Sequence, residues 1–333
     1  MSYQRFLKPA YYPSFLPHMV GRGYSISTLI DLQGGTLNTG SSEYDLIDGR
    51  PLSRVSFDTS STTTAILLRF DFGVTSELPL DFVAILNHNF YTAGATKIEV
   101  RHHTSAFTSV SDGTAVTLTA VVGGTTGSGG DPPIYYPVDG STIYTFPEVE
   151  NKRYWAIVIT YHGAAFTSTD LEIGQIMLGR RHVASAGPDV GSIRRSVDFD
   201  GVQLETSIGG QTFGNASYIA PGGTSSSFGQ PFHNATTSYW RRAGGRRSLK
   251  FRQHFMLDTE MAKDDISSGV RGGSFEENVL QITAGALHPL VFCPDSTSTT
   301  LGDYMFARLQ ASMVTDEVAH NVRSMDVAVT EEL

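Results

Sequence analysis

The chain has 333 residues, a hydrophobic content of 40%, a charged content of only 17% and a formal net charge of −9. That length accommodates two domains of ordinary size, and an acidic chain without long runs of one charge is a poor partner for nucleic acid. The single cysteine, Cys293, excludes an intrachain disulfide, and no apolar window approaches the length that spans a bilayer. Ser, Thr and Gly take the place of the missing charge, which suits either a protein covered by neighbouring subunits or an extracellular β-protein.

Residues 1–33 form an extended segment rich in Tyr, Phe and Pro. This composition is too aromatic for a solvated tail, yet the segment is too short to bury a core alone. We expect it to pack along its own domain or onto a neighbouring subunit, with Tyr11 and Tyr12 as candidate protein-interface residues. Lys8 and Pro13 interrupt any apolar run of the secretory type, so the sequence predicts synthesis in a cytoplasm.

The first domain, predicted over residues 34–187, shows hydrophobic alternation with a period of two. The alternating apolar residues are Ile66, Leu68, Phe70 and Phe72 in one segment and Trp155, Ile157 and Ile159 in another. Between them, residues 82–86 are continuously apolar, which is typical of a shorter and more fully buried strand. Strands separated by turn-rich loops, with almost no helix between them, predict an antiparallel jelly-roll-type sandwich.

Two Gly-rich segments organise the middle of the chain. Residues 123–133 have the composition of a flexible linker but lie within the first domain, so we interpret them as a protruding loop. The small and polar residues around Gly187-Pro188 mark the boundary between the two predicted domains.

The second domain, predicted over residues 188–333, is β-rich with one or two short helices. Asp200-Gly201 between apolar residues is typical of a hairpin turn, and residues 219–230 form another loop. Residues 248–255 alternate as a strand, and three closing strands are predicted at 290–293, 306–313 and 324–330.

The predicted helices of this domain lie between those strands. Residues 259–267 favour a short helix. Ser274 and Glu277 have the spacing of a capping box that opens a second helix, and Gly285 is placed to end it.

The sequence contains no recognisable catalytic or metal-binding motif. His102 and His103 are adjacent on a predicted strand and therefore point to opposite faces, and the other histidines lack the spacing of a zinc site. Asp198 and Asp200 resemble the start of a calcium loop without its later acidic ligand, and neither a nucleophile elbow nor a phosphate loop is present. We expect a protein that is not an enzyme and that holds no metal and no cofactor.

A basic cluster surrounds the glycines at 244–245; its members are Arg241, Arg242, Arg246, Arg247, Lys250 and Arg252. An exposed hairpin of this kind would bind an acidic partner or DNA. Alternatively, its arginines pair with local acids such as Glu331 and Glu332. We favour a protein interface, with Arg241, Arg242, Arg246 and Arg247 as its candidate residues, and place nucleic acid last.

Four short motifs carry a family resemblance: Ala84-Ile-Leu-Asn-His-Asn89, Lys97-Ile-Glu-Val-Arg101, Arg153-Tyr-Trp-Ala-Ile-Val158 and Ile173-Gly-Gln-Ile-Met-Leu-Gly179. They resemble motifs of bacteriophage tail structural proteins with a discoidin-like (galactose-binding-like) jelly roll. The C-terminal half, with its strand at 289–292 and its terminal Glu-Glu-Leu, is similar to β-domains of minor tail and distal tail-tip proteins. The resemblance covers residues 50–181 and, more loosely, 195–333.

The resemblance implies a structural component of a virion tail, in a tail tip, baseplate or collar ring that joins the tail tube to fibres. Its partners would be further copies of itself in a symmetric ring and other tail proteins. Its location would be the virion tail, after assembly in the cytoplasm of the host bacterium.

The alternative implied by the same jelly roll is a carbohydrate-binding module that contacts host surface glycans. Sugars are bound there through loops at one end of the sandwich, and the aromatic residues available for a glycan platform are Phe90, Tyr91, Tyr135 and Tyr136. Core packing or a protein interface accounts for these aromatic residues equally well.

Overall fold

The computed structural model describes residues 6–21, 30–33, 36–59, 65–73, 79–126, 134–135, 139–149, 152–161, 166, 169–198, 202–216, 246–261, 274–310 and 314–332. The chain is mainly β-structure, an antiparallel jelly-roll sandwich followed by a second β-rich region with short helices. The predicted fold class is therefore confirmed.

One layer of the sandwich is a 7-stranded sheet. Its strands are β2 (Ile30–Gln33), β5 (Ala65–Asp71), β7 (Ala95–His103), β8 (Thr114–Ala115), β10 (Thr125–Thr126), β11 (Ile134–Tyr135) and β13 (Tyr154–Tyr161). The two segments that alternate in the sequence are β5 and β13, and they pair from Tyr154↔Asp71 to Thr160↔Ala65. Their predicted apolar rows face the sandwich core, as the period of two requires. Part of the segment predicted as a loop, residues 123–133, is instead a strand at Thr125–Thr126.

The opposite layer is a 4-stranded sheet in the order β15-β6-β12-β9. Its strands are β6 (Leu80–His88), β9 (Thr119–Val122), β12 (Gly140–Val149) and β15 (Gln175–Gly179). All residues of β6 are buried, because Val83 and Ile85 face the sandwich core while Phe82, Ala84 and Leu86 face a second core behind the sheet. The continuous apolar run at 82–86 therefore reports burial on both faces of this strand.

A small 3-stranded sheet completes the sandwich. Its strands are β3 (Thr36–Leu37), β4 (Val55–Asp58) and β14 (Leu171–Ile173). Val55, Phe57 and Ile173 add their side chains to the sandwich core.

The C-terminal region is built on an 8-stranded sheet in the order β16-β1-β21-β22-β24-β20-β17, with β23 beside β24. Its strands are β1 (Ala10–Pro13), β16 (His182–Val183), β17 (Arg194–Asp198), β20 (Arg246–Leu257), β21 (Leu290–Cys293), β22 (Met305–Leu309), β23 (Thr315–Ala319) and β24 (Val322–Glu331). The N-terminal strand β1 lies inside this sheet, where it pairs with β21 and β16. The described part of the N-terminal segment thus packs within the chain itself.

A middle core joins the two halves of the molecule. Phe82 and Met177 of the 4-stranded sheet pack there with Tyr12, Val291 and Phe306 of the 8-stranded sheet. The two halves therefore share buried surface along the whole length of β1, and the division into residues 34–187 and 188–333 stays a prediction.

The helices of the described residues are short. They are α1 (Phe15–Gly21), α2 (Asp258–Met261), a π-helical turn (Glu276–Leu280) that continues into α3 (Gln281–Thr283), and 3₁₀ turns at Glu43–Leu46, Val190–Ser192 and Leu301–Asp303. One bond of the predicted capping box is present, since Ser274 Oγ accepts from the Glu277 backbone N–H at 3.3 Å; the same hydroxyl donates to the Glu277 carboxylate at 3.4 Å. The helix ends one residue before the predicted Gly285, at Ala284, which has a left-handed φ of +48° and donates its N–H to the Gln281 carbonyl oxygen at 3.3 Å. Helix α1 was not predicted, and it packs Phe15 and Leu16 into the sandwich core.

A separate 2-stranded sheet is formed by β18 (Val202–Thr206) and β19 (Thr212–Ala216). The sequence predicts instead a hairpin about Asp200-Gly201, which would pair β17 with β18. That prediction is wrong in its pairing within the described residues, because β17 pairs with β20 and β18 pairs with β19. The turn of the observed hairpin lies at residues 207–211, where Gly210 has a φ of +81°.

Candidate interaction surfaces

Arg247, predicted at a protein interface, is instead part of a buried ion pair. Its Nη2 lies 2.6 Å from Glu331 Oε1 and its Nε lies 3.0 Å from Glu331 Oε2, and Glu331 is only 1% exposed. The same guanidinium donates to the carbonyl oxygens of Gly302 and Tyr304, both at 2.7 Å. Arg247 therefore connects β24 to the 3₁₀ turn before β22. This agrees with the alternative interpretation, in which the arginines of the basic cluster pair with local acids.

The other members of the basic cluster lie in different surroundings. Arg246 is half-buried and lies across from Asp198 in the β17–β20 register. Lys250 is exposed, and Arg252 donates to Asp326 at 2.7 and 3.0 Å. Arg241 and Arg242 lie outside the described residues. The predicted cluster is thus not one continuous basic surface in the part that the structure describes.

Tyr11 and Tyr12, also predicted at a protein interface, are buried inside the chain. As neighbours on a strand they face opposite sides. The Tyr11 ring lies 5.1 Å from Phe275 and 5.2 Å from Phe292, in a core on the other side of the 8-stranded sheet from the middle core. The Tyr12 ring lies 5.2 Å from Phe82 in the middle core. Burial raises the pKa of both phenols, so neither ring forms a surface for a partner.

Of the four residues predicted to form a glycan platform, one has a side chain that the structure describes as exposed. Phe90 is buried and stacks on His88 at a centroid distance of 4.1 Å, so it belongs to the core. Tyr91 is 63% exposed. Tyr135 lies in β11 with a side chain outside the description, and Tyr136 lies outside the described residues altogether.

The loop that carries Tyr91 is held by hydrogen bonds from several directions. Thr92 donates from its backbone N–H to Asp139 at 3.1 Å, and its hydroxyl bonds the other oxygen of the same carboxylate. Asn89 donates to the Asp170 carbonyl at 2.8 Å and accepts from the Glu172 N–H at 2.7 Å. Tyr91 is therefore an exposed aromatic ring on a fixed turn at the end of β6.

The hairpin of β18 and β19 is the most exposed apolar element of the described chain. Leu204 is 69% exposed, Phe213 is 59% exposed and Ile208 at the turn is fully exposed. The register places Leu204 across from Gly214 and Phe213 across from Glu205, so the two large side chains lie on opposite faces of the hairpin. The sequence did not indicate this surface, because the turn signal at Asp200-Gly201 assigned β18 to a different hairpin.

One face of the 8-stranded sheet carries a polar groove of about 490 Å³. Arg194 of β17 lies directly across from Lys250 of β20 in this groove. Arg252 and Asp326 form its neighbouring ion pair. Directly opposed like charges on adjacent strands destabilise a sheet, and neither Arg194 nor Lys250 has an ion-pair partner among the described residues.

Asp81 is a buried carboxyl at the point where the sandwich meets the 8-stranded sheet. It accepts from the Arg181 backbone N–H at 2.7 Å and from Arg181 Nε at 3.2 Å. Burial outweighs these bonds and raises the pKa of Asp81 to about 6. The Asp81 charge in turn contributes to the raised pKa of the nearby Tyr12 phenol.

The described residues contain no group of three or more His, Cys, Asp or Glu side chains placed to hold a metal ion. Within them, no helix combines the length and apolar character that crossing a membrane requires.

Comparison with known proteins gives fold-level likeness alone. No protein-family model matches the sequence, and no curated protein matches it. Among solved structures, CBM32-1 from a family 31 glycoside hydrolase of Clostridium perfringens is similar at 11% identity and a TM-score of 0.30, over 46% of this chain and 97% of that chain. A GH31 CBM32-2 module bound to GalNAc is similar at 15% identity and a TM-score of 0.28, over 45% of this chain and 98% of that chain. Likeness at this level carries no argument about what this chain binds.

Proposed function

We propose that the chain is a non-catalytic structural subunit that works by assembling with other proteins. The observation that carries this proposal is the hairpin of β18 and β19. Within the described residues it forms a 2-stranded sheet by itself and exposes Leu204, Ile208 and Phe213. A lone two-stranded hairpin is marginally stable in water, so a hairpin that exposes large apolar side chains on both of its faces favours burial against a partner.

The more specific proposal is a subunit of a bacteriophage tail, in its tip, baseplate or collar ring. It is supported by the four sequence motifs between Ala84 and Gly179, and by a mainly β architecture in which the described helices are short. On this proposal the chain is located in the virion tail, after assembly in the cytoplasm of a host bacterium. The hairpin would insert into another tail protein, which would cover both of its faces.

Electron microscopy of purified virions labelled with an antibody to this chain tests the location. We expect label confined to the tail, at one axial position. Virions that contain the chain only in the capsid, or that lack it altogether, contradict the proposal.

Hairpin variants test the mechanism. Leu204→Ser combined with Phe213→Ser should leave the purified chain folded, as measured by circular dichroism, because neither side chain is in a described core. The same variant should reduce incorporation into particles by at least about ten-fold, since an apolar anchor is lost from an interface. Glu205→Gln is the matched control on the same hairpin and should incorporate normally. Normal incorporation of the double serine variant overturns the role of the hairpin.

A second candidate function, glycan binding, is favoured by one observation: Tyr91 is held in solvent on a fixed turn beside the Asp139 carboxylate. An exposed aromatic ring next to hydrogen-bonding groups can stack on a sugar ring. Calorimetric titration with galactose and with N-acetylgalactosamine tests it. Saturable heat that is lost in Tyr91→Ala and kept in Tyr44→Ala, another exposed tyrosine, supports glycan binding, whereas no heat at millimolar sugar excludes these ligands.

A further inference from the structure

We propose that the strand β17 of one copy of the chain adds to the strand β23 of a second copy, so that the 8-stranded sheets join edge to edge. This inference deepens the proposed structural function, on which it rests, by naming one partner as a second copy of the same chain. The two strands form complementary edges of one sheet.

Both strands are open edges in the part of the chain that the structure describes. β17 pairs only with β20, and β23 pairs only with β24. Arg194, Arg195, Ser196 and Val197 are exposed along β17, and β23 is exposed at all of its positions. Open edges present unpaired backbone groups that can add a further strand.

The charges of the two edges are opposite. β17 begins with Arg194 and Arg195, whereas β23 carries Asp316 and Glu317 at its centre. Two β17 edges would repel each other, and so would two β23 edges, because each such pair brings like charges together. Together they fit each other, because a cationic edge meets an anionic one.

The basic side chain of Arg194 and the acidic side chain of Asp316 also lie on the same face of the sheet. Arg194 lies across from Lys250, which shares a face with Arg252 two residues further along β20. Arg252 Nη2 lies 3.9 Å from Asp316 Oδ2. Arg194 and Asp316 therefore point to the same side of the sheet, although they lie on different edge strands.

This shared face limits the registers of an intermolecular pair. Successive antiparallel pairings place β17 and β23 in opposite directions within the sheet, so a second copy related by rotation about an axis along the strands brings β23 antiparallel to β17. One register that keeps the face continuous places Arg194 across from Asp316. The register shifted by two residues places Arg195 across from Glu317. Either one aligns opposite charges directly across the new contact.

The contact would also remove an unfavourable feature of the isolated chain. Arg194 and Lys250 oppose each other without an ion-pair partner among the described residues, and like charges in this position repel. An acidic side chain of a second copy beside Arg194 would offset that repulsion. Because β17 and β23 are different surfaces, the contact is heterologous, and repeated copies form a closed ring or an open filament.

Charge reversal tests the contact in the purified full-length chain by sedimentation velocity across a range of concentrations. We expect the unaltered chain to self-associate, and less strongly as salt is raised. Arg194→Glu with Arg195→Glu, and separately Asp316→Arg with Glu317→Arg, should each raise the dissociation constant at least about ten-fold, because each gives two edges of like charge.

The decisive measurement is the mixture of the two reversed variants. Each variant then meets the other's oppositely charged edge, so association should return to within about three-fold of the unaltered chain. Lys8→Glu is the matched control: it reverses an exposed charge outside β17 and β23 and should keep self-association within the same range. Circular dichroism establishes that every variant is folded.

Three outcomes overturn the edge contact: a chain that is monomeric at all concentrations, self-association that neither reversal changes, and a mixture that fails to recover. None of them contradicts the proposed structural function, which depends on incorporation into particles through the hairpin of β18 and β19. Conversely, a double serine hairpin variant that enters particles normally removes the support for the proposed function while leaving the sedimentation result intact.

Discussion

The N-terminal strand β1 and the hairpin of β18 and β19 are both short β-segments that carry large apolar or aromatic residues. In the structure, the large side chains of β1 are buried and those of the hairpin are exposed. Tyr11 and Tyr12 are each 1% exposed, because β1 lies between β21 and β16 and both of its faces are covered. Leu204 and Phe213 project into solvent, because their two strands pair only with each other in the described chain. Neighbouring strands and layers, and not composition, decide which apolar residues form a core and which form an interface.

The largest effect expected from this comparison is at Tyr12. Tyr12→Ala removes a ring from the middle core between the 4-stranded and 8-stranded sheets, and large-to-small changes of buried aromatic residues cost about 3–5 kcal/mol. We expect the free energy of unfolding in denaturant titrations to fall by about 4 kcal/mol. A loss below about 1 kcal/mol would show that β1 does not bind its sheet as described.

Arg247→Met is expected to cost about 3 kcal/mol, because it removes the guanidinium that pairs with the buried Glu331 carboxylate. The double variant Arg247→Met with Glu331→Leu should recover most of that loss, since no unpaired charge then remains. Equal losses in the single and double variants, measured by the same titrations, would contradict the ion pair as the source of the effect.

Gly179→Ala tests how closely β15 approaches the N-terminal strand. A methyl group at this position would overlap the Pro13 carbonyl oxygen and touch the Phe82 ring, and overpacking of this kind costs roughly 2 kcal/mol. Gly209→Ala in the exposed hairpin is the matched control, with Ser207 Oγ as its nearest neighbour at 3.8 Å. We expect it to be neutral within about 0.5 kcal/mol in thermal melts.

Asp81 predicts a pH dependence with a definite sign. Its pKa in the folded chain is raised to about 6, from 3.8, so between these values the folded state holds a proton that the unfolded state has lost. This group therefore adds stability as pH falls from 7 towards 4, on the order of 2 kcal/mol. Asp81→Asn should flatten that part of the pH profile of the unfolding free energy. An unchanged slope in the variant would assign the effect to other groups.

The smallest stability effect is expected in the hairpin. Leu204→Ala and Phe213→Ala should each change the free energy of unfolding by less than about 0.5 kcal/mol, because their side chains are exposed. The contrast with Tyr12→Ala in the same titrations measures how different the two regions are. A loss of 2 kcal/mol or more at Leu204 would mean that the hairpin packs on the chain itself.

The sequence predicted those features that are written into a few neighbouring residues. The alternation at 66–72 and 155–159 identified β5 and β13, and the run at 82–86 identified the buried strand β6. The spacing of Ser274 and Glu277 identified a helix start, since a capping box forms between residues only three positions apart. The candidate interface and glycan residues were predicted less well, because their exposure depends on what packs beside them.

What the sequence determined alone was therefore the β-class of the chain, the faces of its sandwich strands and the start of one helix, all of which follow from local periodicity and local hydrogen bonds. The tertiary structure decided that β1 joins a sheet made of residues more than 170 positions away, that Arg247 meets Glu331, and that β18 pairs with β19 instead of β17. These outcomes rest on the competition between distant strands for the same backbone partners and the same apolar faces, which no short window of residues contains.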